Sequence, residues 1–253
     1  MPSSHNRALL SHKIRQALLH PEQVLPYGRR WARDLCLRAR NPDHVSYYRS
    51  IMRSNVARGP ELAVGSPTHD AWLATGQMQF DYLIEHGLES RMRMLEIGCG
   101  NLRAGRLFID YLDDGNYWGI DISPEILLAA LDTITAFDLQ AKRPRLSLVR
   151  DLRFRFLDVE SFDVVHAHSV FSHSSYEVLA ECLANVGRVL APGGFFDFTV
   201  HITDGTEHHV LHEDFYYRRE SVTGLAESHG FRAELMDDWE GLHLQSKVRL
   251  TRL

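Results

Sequence analysis

"MLEIGCGNLRAG", residues 94–105, is the stretch on which the fold turns. An apolar run ends at Gly98 and Gly100, and a helical pattern begins beyond them. Glycine, lacking a Cβ, lets the backbone turn tightly and lets a ligand approach it. The next apolar run, "NYWGIDI" (116–122), places Asp121 near its end. A carboxylate there can accept both hydroxyls of a ribose, so the pair of runs reads as two strands framing a nucleoside crevice.

The spacing Gly98, Gly100, Gly105 departs from the G-x-G-x-x-G fingerprint of dinucleotide sites. Glu96 adds a negative charge beside the turn. Two charges about 4 Å apart interact by roughly 4 kcal/mol at an effective dielectric of about 20. That sign repels a pyrophosphate and attracts a ligand carrying an ammonium and a sulfonium. S-adenosylmethionine is such a ligand.

Outward from this turn, short apolar runs alternate with amphipathic stretches. The runs are "MRMLEIG", "NYWGIDI", "RLSLVRD", "FDVVHAHS" and "GGFFDFTVH", with helices expected at 102–112, 124–139 and 175–190. Such alternation predicts a doubly wound, mostly parallel sheet of the Rossmann-like α/β class. The ending breaks the rhythm: "RRESVTGLAESHG" reads as a helix, then "FRAELMDDW" and "HLQSKVRLTRL" as two strands. Their short connection forces an antiparallel C-terminal hairpin, and the sheet is expected to have seven strands. Ahead of it, "HDAWLATGQMQFDYLIEHG" (69–87) predicts a helix stopped at Gly87. Residues 1–65 read as a helical, basic extension, with "SHKIRQALLH", "GRRWARDLCLRAR" and "HVSYYRSIMRSNVARG" separated by Pro21, Pro26, Pro42 and Pro60. Residues 66–253 read as the catalytic domain.

Charge is unevenly spread. Residues 1–60 carry eleven Lys and Arg against Glu22, Asp34 and Asp43, whereas the rest has 17 basic and 30 acidic residues. A basic leader on an acidic body suits a lid, a docking arm for nucleic acid, or a helix around Trp31 and Leu35 in peripheral contact with a membrane. A solvated helical face is the plainer alternative. No apolar stretch approaches the roughly 18 residues of a membrane span, and "MPSSHNRALLSHKIRQ" lacks a signal-peptide pattern. Cys36, Cys99 and Cys182 form neither a zinc nor a disulfide pattern. Together these point to a cytoplasmic protein.

Residues 94–201 resemble class I S-adenosylmethionine-dependent methyltransferases, on five motifs in chain order. "LEIGCG" is similar to the first motif, "GIDIS" to the second, "LVRDL" to the third, "FDVVHAHSVFSH" to the fourth, and "VGRVLAPGGFF" to the turn before the fifth strand. The resemblance implies that Glu96, Gly98, Gly100 and Asn101 meet the amino-acid end of S-adenosylmethionine. Asp121 would hold the ribose, Ile122 and Leu152 pack on the adenine, Asp151 lie near its amino group, and His168 contact the cofactor. Arg103 reaches either the cofactor carboxylate or solvent.

Transfer of a methyl group to a hydroxyl needs a base, and histidine suits that task near neutral pH. His173 is the first candidate, with capping of the next helix as its alternative, and His201 is the reserve. His208 and His212 have metal-ligand spacing only if helical, and "TDGTEHH" (203–209) reads as a turn, so no metal is expected. Asp214, Phe215, Tyr216 and Tyr217 are candidates for an acceptor pocket. The fourth strand is not followed by the Pro-Pro-aromatic motif of amino-directed methylation. The leading expectation is therefore an oxygen of a small-molecule, sugar or lipid acceptor. An RNA or protein acceptor docked by the basic arm, and a non-catalytic S-adenosylmethionine-binding protein, are the alternatives. Oligomeric state is not legible.

Overall fold

A computed structural model describes residues 21–239 and 244–253. The expected helix over 11–20 lies outside the described residues. The chain groups into two units, Met1–Pro42 and Asp43–Leu253.

The first unit contains helix α1 (Pro21–Arg40). It was expected to break at Pro26 but runs through it. Pro26 is the sixth residue of the helix, just past the four amides that lack an intrahelical acceptor, so it costs the ladder one hydrogen bond near its start. Trp31 and Leu35 are exposed on α1.

The second unit begins with α2 (His44–Val56), capped by the Asp43 side chain on Ser46 N, and the single turn α3 (Pro60–Ala63). Helix α4 (His69–Glu85) follows, with Thr68 accepting from Ala71 N. It stops before Gly87, whose φ of 100° few other residues adopt. Then come β1 (Met94–Ile97), α5 (Gly105–Tyr111), β2 (Tyr117–Asp121), α6 (Pro124–Ala136), β3 (Arg145–Leu148), β4 (Phe162–Ala167) and α7 (Tyr176–Val189). The chain ends with β5 (Leu190–Ile202), β6 (His208–Val210), β7 (Asp214–Tyr217), α8 (Arg219–Ser228), β8 (Phe231–Met236) and β9 (Ser246–Arg252).

Strands β1 to β5 are parallel in the order β3-β2-β1-β4-β5. Antiparallel β9 follows β5, and β8 pairs with β9. These are the seven strands expected, and two more bring the sheet to nine. The two extra ones are the β6–β7 hairpin, joined to the far end of β5 where His201 and Ile202 pair with Tyr216 and Tyr217.

Strand order reverses at β1, whose neighbours are β2 and β4. That places a crevice beyond the carboxyl ends of β1 and β4, the usual ligand position in such sheets. Period-2 alternation divides the core between the two faces. Leu95, Ile97, Val165, Phe196 and Phe198 pack with residues of α7 and α8. Met94 and Val164 pack with residues of α4 and α5.

The α4–α5 face also carries a polar row. Glu96 pairs in register with His166, His166 with Asp197, and Asp197 with Arg249. Glu96, His166 and Asp197 are all buried. Asp197 receives both Nε and Nη2 of Arg249 at 2.7 Å.

Candidate active site

The turn after β1 is built as its glycines dictate. Gly98 (φ 68°) and Gly100 (φ 57°) are left-handed. A Cβ on Gly98 would lie 2.4 Å from Val170 Cγ2, in the segment after β4. Gly98 N and Cys99 N donate to Ile120 O, which ties the turn to the end of β2. Leu102 is also left-handed (φ 62°), so α5 starts at Gly105 rather than 102. Arg103 therefore precedes the helix instead of sitting in its first turn. Its Nη1 donates to Val64 O and to Ser66 Oγ, pinning the turn to the segment after α3.

Asp121 is the centre of the crevice. It is buried, with one oxygen accepting Gly100 N at 3.0 Å and the other Ser123 N at 2.8 Å. Burial pushes its carboxyl up to about 6, against the pull of those amides. A carboxylate offers about four lone-pair positions. Two remain after the amides, enough for two ribose hydroxyls, so the residues fit an adenosyl ligand. Val149 N donates to Asp121 O, which brings the segment after β3 beside it. There Leu152 is buried, while Asp151 is exposed and accepts Arg153 N. Ile122 packs against the core as a partly buried neighbour.

Glu96 is not an open charge at the turn. It is buried and accepts the Tyr117 hydroxyl. Burial raises its carboxyl to about 7, opposed by that hydrogen bond and by Arg103. Burial thus raises both carboxyls at the turn toward neutral pH. Asn101 accepts Trp72 Nε1 of α4 at 2.9 Å, so its side chain serves the loop's packing.

Past β4 the structure brings His173 and His201 together, with ring centres 6.5 Å apart and edge to face. His173 ends a short 3-10 turn (Phe171–His173). Its Nδ1 lies 2.8 Å from Glu213 O and 3.1 Å from an Asp214 carboxylate oxygen. A carbonyl only accepts, so Nδ1 carries the proton and Nε2 is the basic nitrogen. His201 stacks on Tyr216 at 4.7 Å. His168 stands elsewhere, stacked on His166 at 6.5 Å and edge-on to Trp239 at 5.8 Å.

Helix α2 completes the cluster. His44 Nε2 donates to His173 O, and the Tyr47 hydroxyl donates to Leu211 O. Tyr48 stacks on His173 at 6.0 Å. Its hydroxyl is held well above the ordinary range by burial, then by the charges of Asp121, Asp214 and Glu213. Tyr48 is therefore in contact with His173 and within electrostatic reach of Asp121 and Asp214. At the other end of α2, Arg53 donates to Glu125 at the start of α6, 2.7 Å away. Nothing in the tyrosine pair of "HVSYYRS" marks Tyr48 as a site residue, because its role arises from chain-distant packing.

His208 lies on β6 and His212 in the left-handed turn after it, so the pair is not helical. Among the described residues, no three or more His, Cys, Asp or Glu side chains are placed to hold a metal. The three cysteines are free, and no described helix is long and apolar enough to cross a membrane.

A reversing parallel sheet, a left-handed glycine turn and a buried carboxylate on the adjoining strand define a nucleoside-binding Rossmann-like domain. A family described as "Methyltransferase domain" matches residues 95–196. The chain is 29% identical over 136 residues to a polyketide synthase-nonribosomal peptide synthetase of Aspergillus clavatus, and 30% identical over 136 residues to one of Pyricularia grisea. Each match covers 53% of this chain and 3% of the relative. Magnesium protoporphyrin IX methyltransferase from Synechocystis, solved with bound S-adenosylmethionine, shares the fold with a TM-score of 0.62 at 12% identity. That match covers 83% of this chain and 98% of the other. Residues 95–196 thus match a methyltransferase domain, in a chain whose fold is that of a solved S-adenosylmethionine-bound methyltransferase.

Proposed function

We propose that the chain methylates an oxygen of a small-molecule acceptor, with His173 as general base. The observation that carries this reading is the orientation of His173, whose Nδ1 is fixed by Glu213 O and Asp214 so that Nε2 is the proton acceptor. A carboxylate behind the imidazole also stabilises the cation formed when the proton arrives.

S-adenosylmethionine supplies an electrophilic methyl group. In this reading Asp121 accepts the ribose hydroxyls, and the turn from Gly98 to Asn101, with Glu96 beneath it, faces the amino-acid end. Ile122 and Leu152 line the adenine side, with Asp151 at the rim and His168 beyond β4. Tyr48 covers the space between Asp121 and His173 and excludes water, which makes α2 the lid. Enclosure by a helix on the same compact unit favours an acceptor small enough to lie beneath it. Sugars and lipids with a reachable hydroxyl meet the same requirement. The names of the two curated relatives favour a second acceptor class, a polyketide- or peptide-like molecule, which the same base serves.

The test is intact-mass detection of one added methyl across a panel of hydroxylated small molecules. Replacing His173 by Gln should slow turnover by about a hundredfold to ten-thousandfold and leave S-adenosylhomocysteine affinity unchanged. Turnover by His173→Gln within threefold of wild type, a band of about 0.7 kcal/mol, would exclude His173 as the base.

A further inference from the structure

Lys247 has no task in the chemistry above, yet it is one of the most deeply buried residues of the chain, 0% exposed. It lies on β9 opposite Thr199. Its ammonium sits 4.6 Å from the Trp239 ring centre and 4.8 Å from that of Tyr82 on α4. Among the described residues Nζ has no hydrogen-bond partner. The carboxylate that acts on it is Asp197, whose two oxygens both accept from Arg249. Among the described residues, Lys247, Arg249 and Asp197 thus leave one positive charge uncompensated. Burying such a charge is costly unless an anion joins it.

The surroundings repeat the deficit. His166, also 0% exposed, has neither ring nitrogen bonded to any described residue, and Trp239 Nε1 is likewise unpartnered there. Burial and the Lys247 charge hold His166 neutral. Asp238 is engaged by the Tyr82 hydroxyl and by His86 on the outer side of the box. An ammonium, an indole N–H and a neutral imidazole thus lie unpartnered among the described residues beside aromatic walls, and Trp239 is only half-buried.

We propose that this box binds a carboxylate of the methyl acceptor, with Lys247 as the charge partner and Trp239 as the wall that admits it. The inference rests on the small-molecule reading above. Position separates the acceptor from the cofactor as the source. Lys247 sits at the carboxyl-end edge of the sheet, three strands from the glycine turn, or about 14 Å at about 4.8 Å per strand. The amino-acid end of the cofactor belongs at that turn.

The full chain is first titrated with S-adenosylhomocysteine, then, with that site filled, with benzoate and with benzamide. Benzoate should bind saturably and benzamide should not. Lys247→Met should weaken benzoate at least about tenfold, as expected when a charge-assisted hydrogen bond is lost. The same variant should keep S-adenosylhomocysteine affinity and raise Tm, since an unpaired buried charge is gone. Lys247→Arg, which retains the charge, should keep benzoate binding and guards against a folding defect in the first variant. Absence of benzoate binding with S-adenosylhomocysteine bound overturns the subsite alone. Equal binding of benzoate to wild type and Lys247→Met does the same. A Lys247→Met variant that loses S-adenosylhomocysteine but keeps 5′-methylthioadenosine would assign the carboxylate to the cofactor and overturn the proposal. Failure of wild type to bind S-adenosylhomocysteine in the first titration is a separate result, against the cofactor crevice.

Discussion

Replacing Asp121 by Asn separates binding from stability, because the carboxylate acts on the two with opposite signs. In the fold its carboxyl is raised to about 6 from an ordinary value of 3.8. A shift of about two units means that ionising it at neutral pH costs the fold about 3 kcal/mol, and Asn removes that cost. Asn keeps one oxygen for Ser123 N but presents an NH2 group to Gly100 N, or the reverse. Leaving one buried amide unpaired costs about 1–3 kcal/mol. The two effects offset, so Tm should stay within a few degrees. The ligand sees only a loss: one ribose hydroxyl has no acceptor, and the other exchanges a charged acceptor for a neutral one. Charge-assisted bonds contribute about 1.5–3 kcal/mol and neutral ones about 1. The net is about 3 kcal/mol, or roughly a hundredfold in Kd. Calorimetric titration of S-adenosylhomocysteine at pH 8, with thermal melting of both proteins, reads both quantities. An affinity within threefold of wild type would refute the assignment of Asp121 to the ribose. A large fall in Tm would refute the offset.

Three further outcomes follow from the same geometry. Gly98→Ala combines a left-handed φ with a Cβ 2.4 Å from Val170 Cγ2; it should destabilise by about 3 kcal/mol, read as a lower denaturation midpoint. Glu96 and Asp121, raised to about 7 and about 6, hold protons in the fold that the unfolded chain has already released. Their contribution to stability is therefore full below about pH 4 and lost as pH rises to about 7. S-adenosylmethionine affinity should rise over the same window, and a cofactor affinity that falls from pH 5 to pH 7.5 would count against ionised carboxyls at the site. Asp197→Asn strands the half-buried Arg249 guanidinium; breaking such a pair costs about 3–5 kcal/mol, and a midpoint equal to that of wild type would show the pair is not holding the sheet.

The frame of the sheet was legible because strand and helix periods alternate from Met94 onward and five motifs stand in order. Asp121 and the glycines could be placed because their chemistry is local to strand ends. What stayed hidden is tertiary. "SKVRLTR" alternates polar and apolar residues, which says that one face of β9 is polar but not that α4 covers it. The structure encloses Lys247 completely and leaves Arg249 only partly exposed. The His173–Asp214 contact joins residues far apart in sequence, and Tyr48 reaches the site from a helix ahead of every motif. Glu96 shows a subtler limit: its charge was legible, but not its burial against Tyr117, which moves its titration toward neutral pH. The two extra strands are short, and their histidine-rich sequence carries no β signal strong enough to separate hairpin from lid.

The most direct measurement is the structure of the full chain crystallised with S-adenosylhomocysteine. The account predicts the ribose hydroxyls on the Asp121 carboxylate, the amino-acid end over Gly98 and Gly100, and the sulfur facing the space between Tyr48 and His173. A nucleoside seated instead in the cleft formed by Pro60, Trp72, Asp132 and Phe137, with Asp121 touching only its own backbone amides, would contradict it.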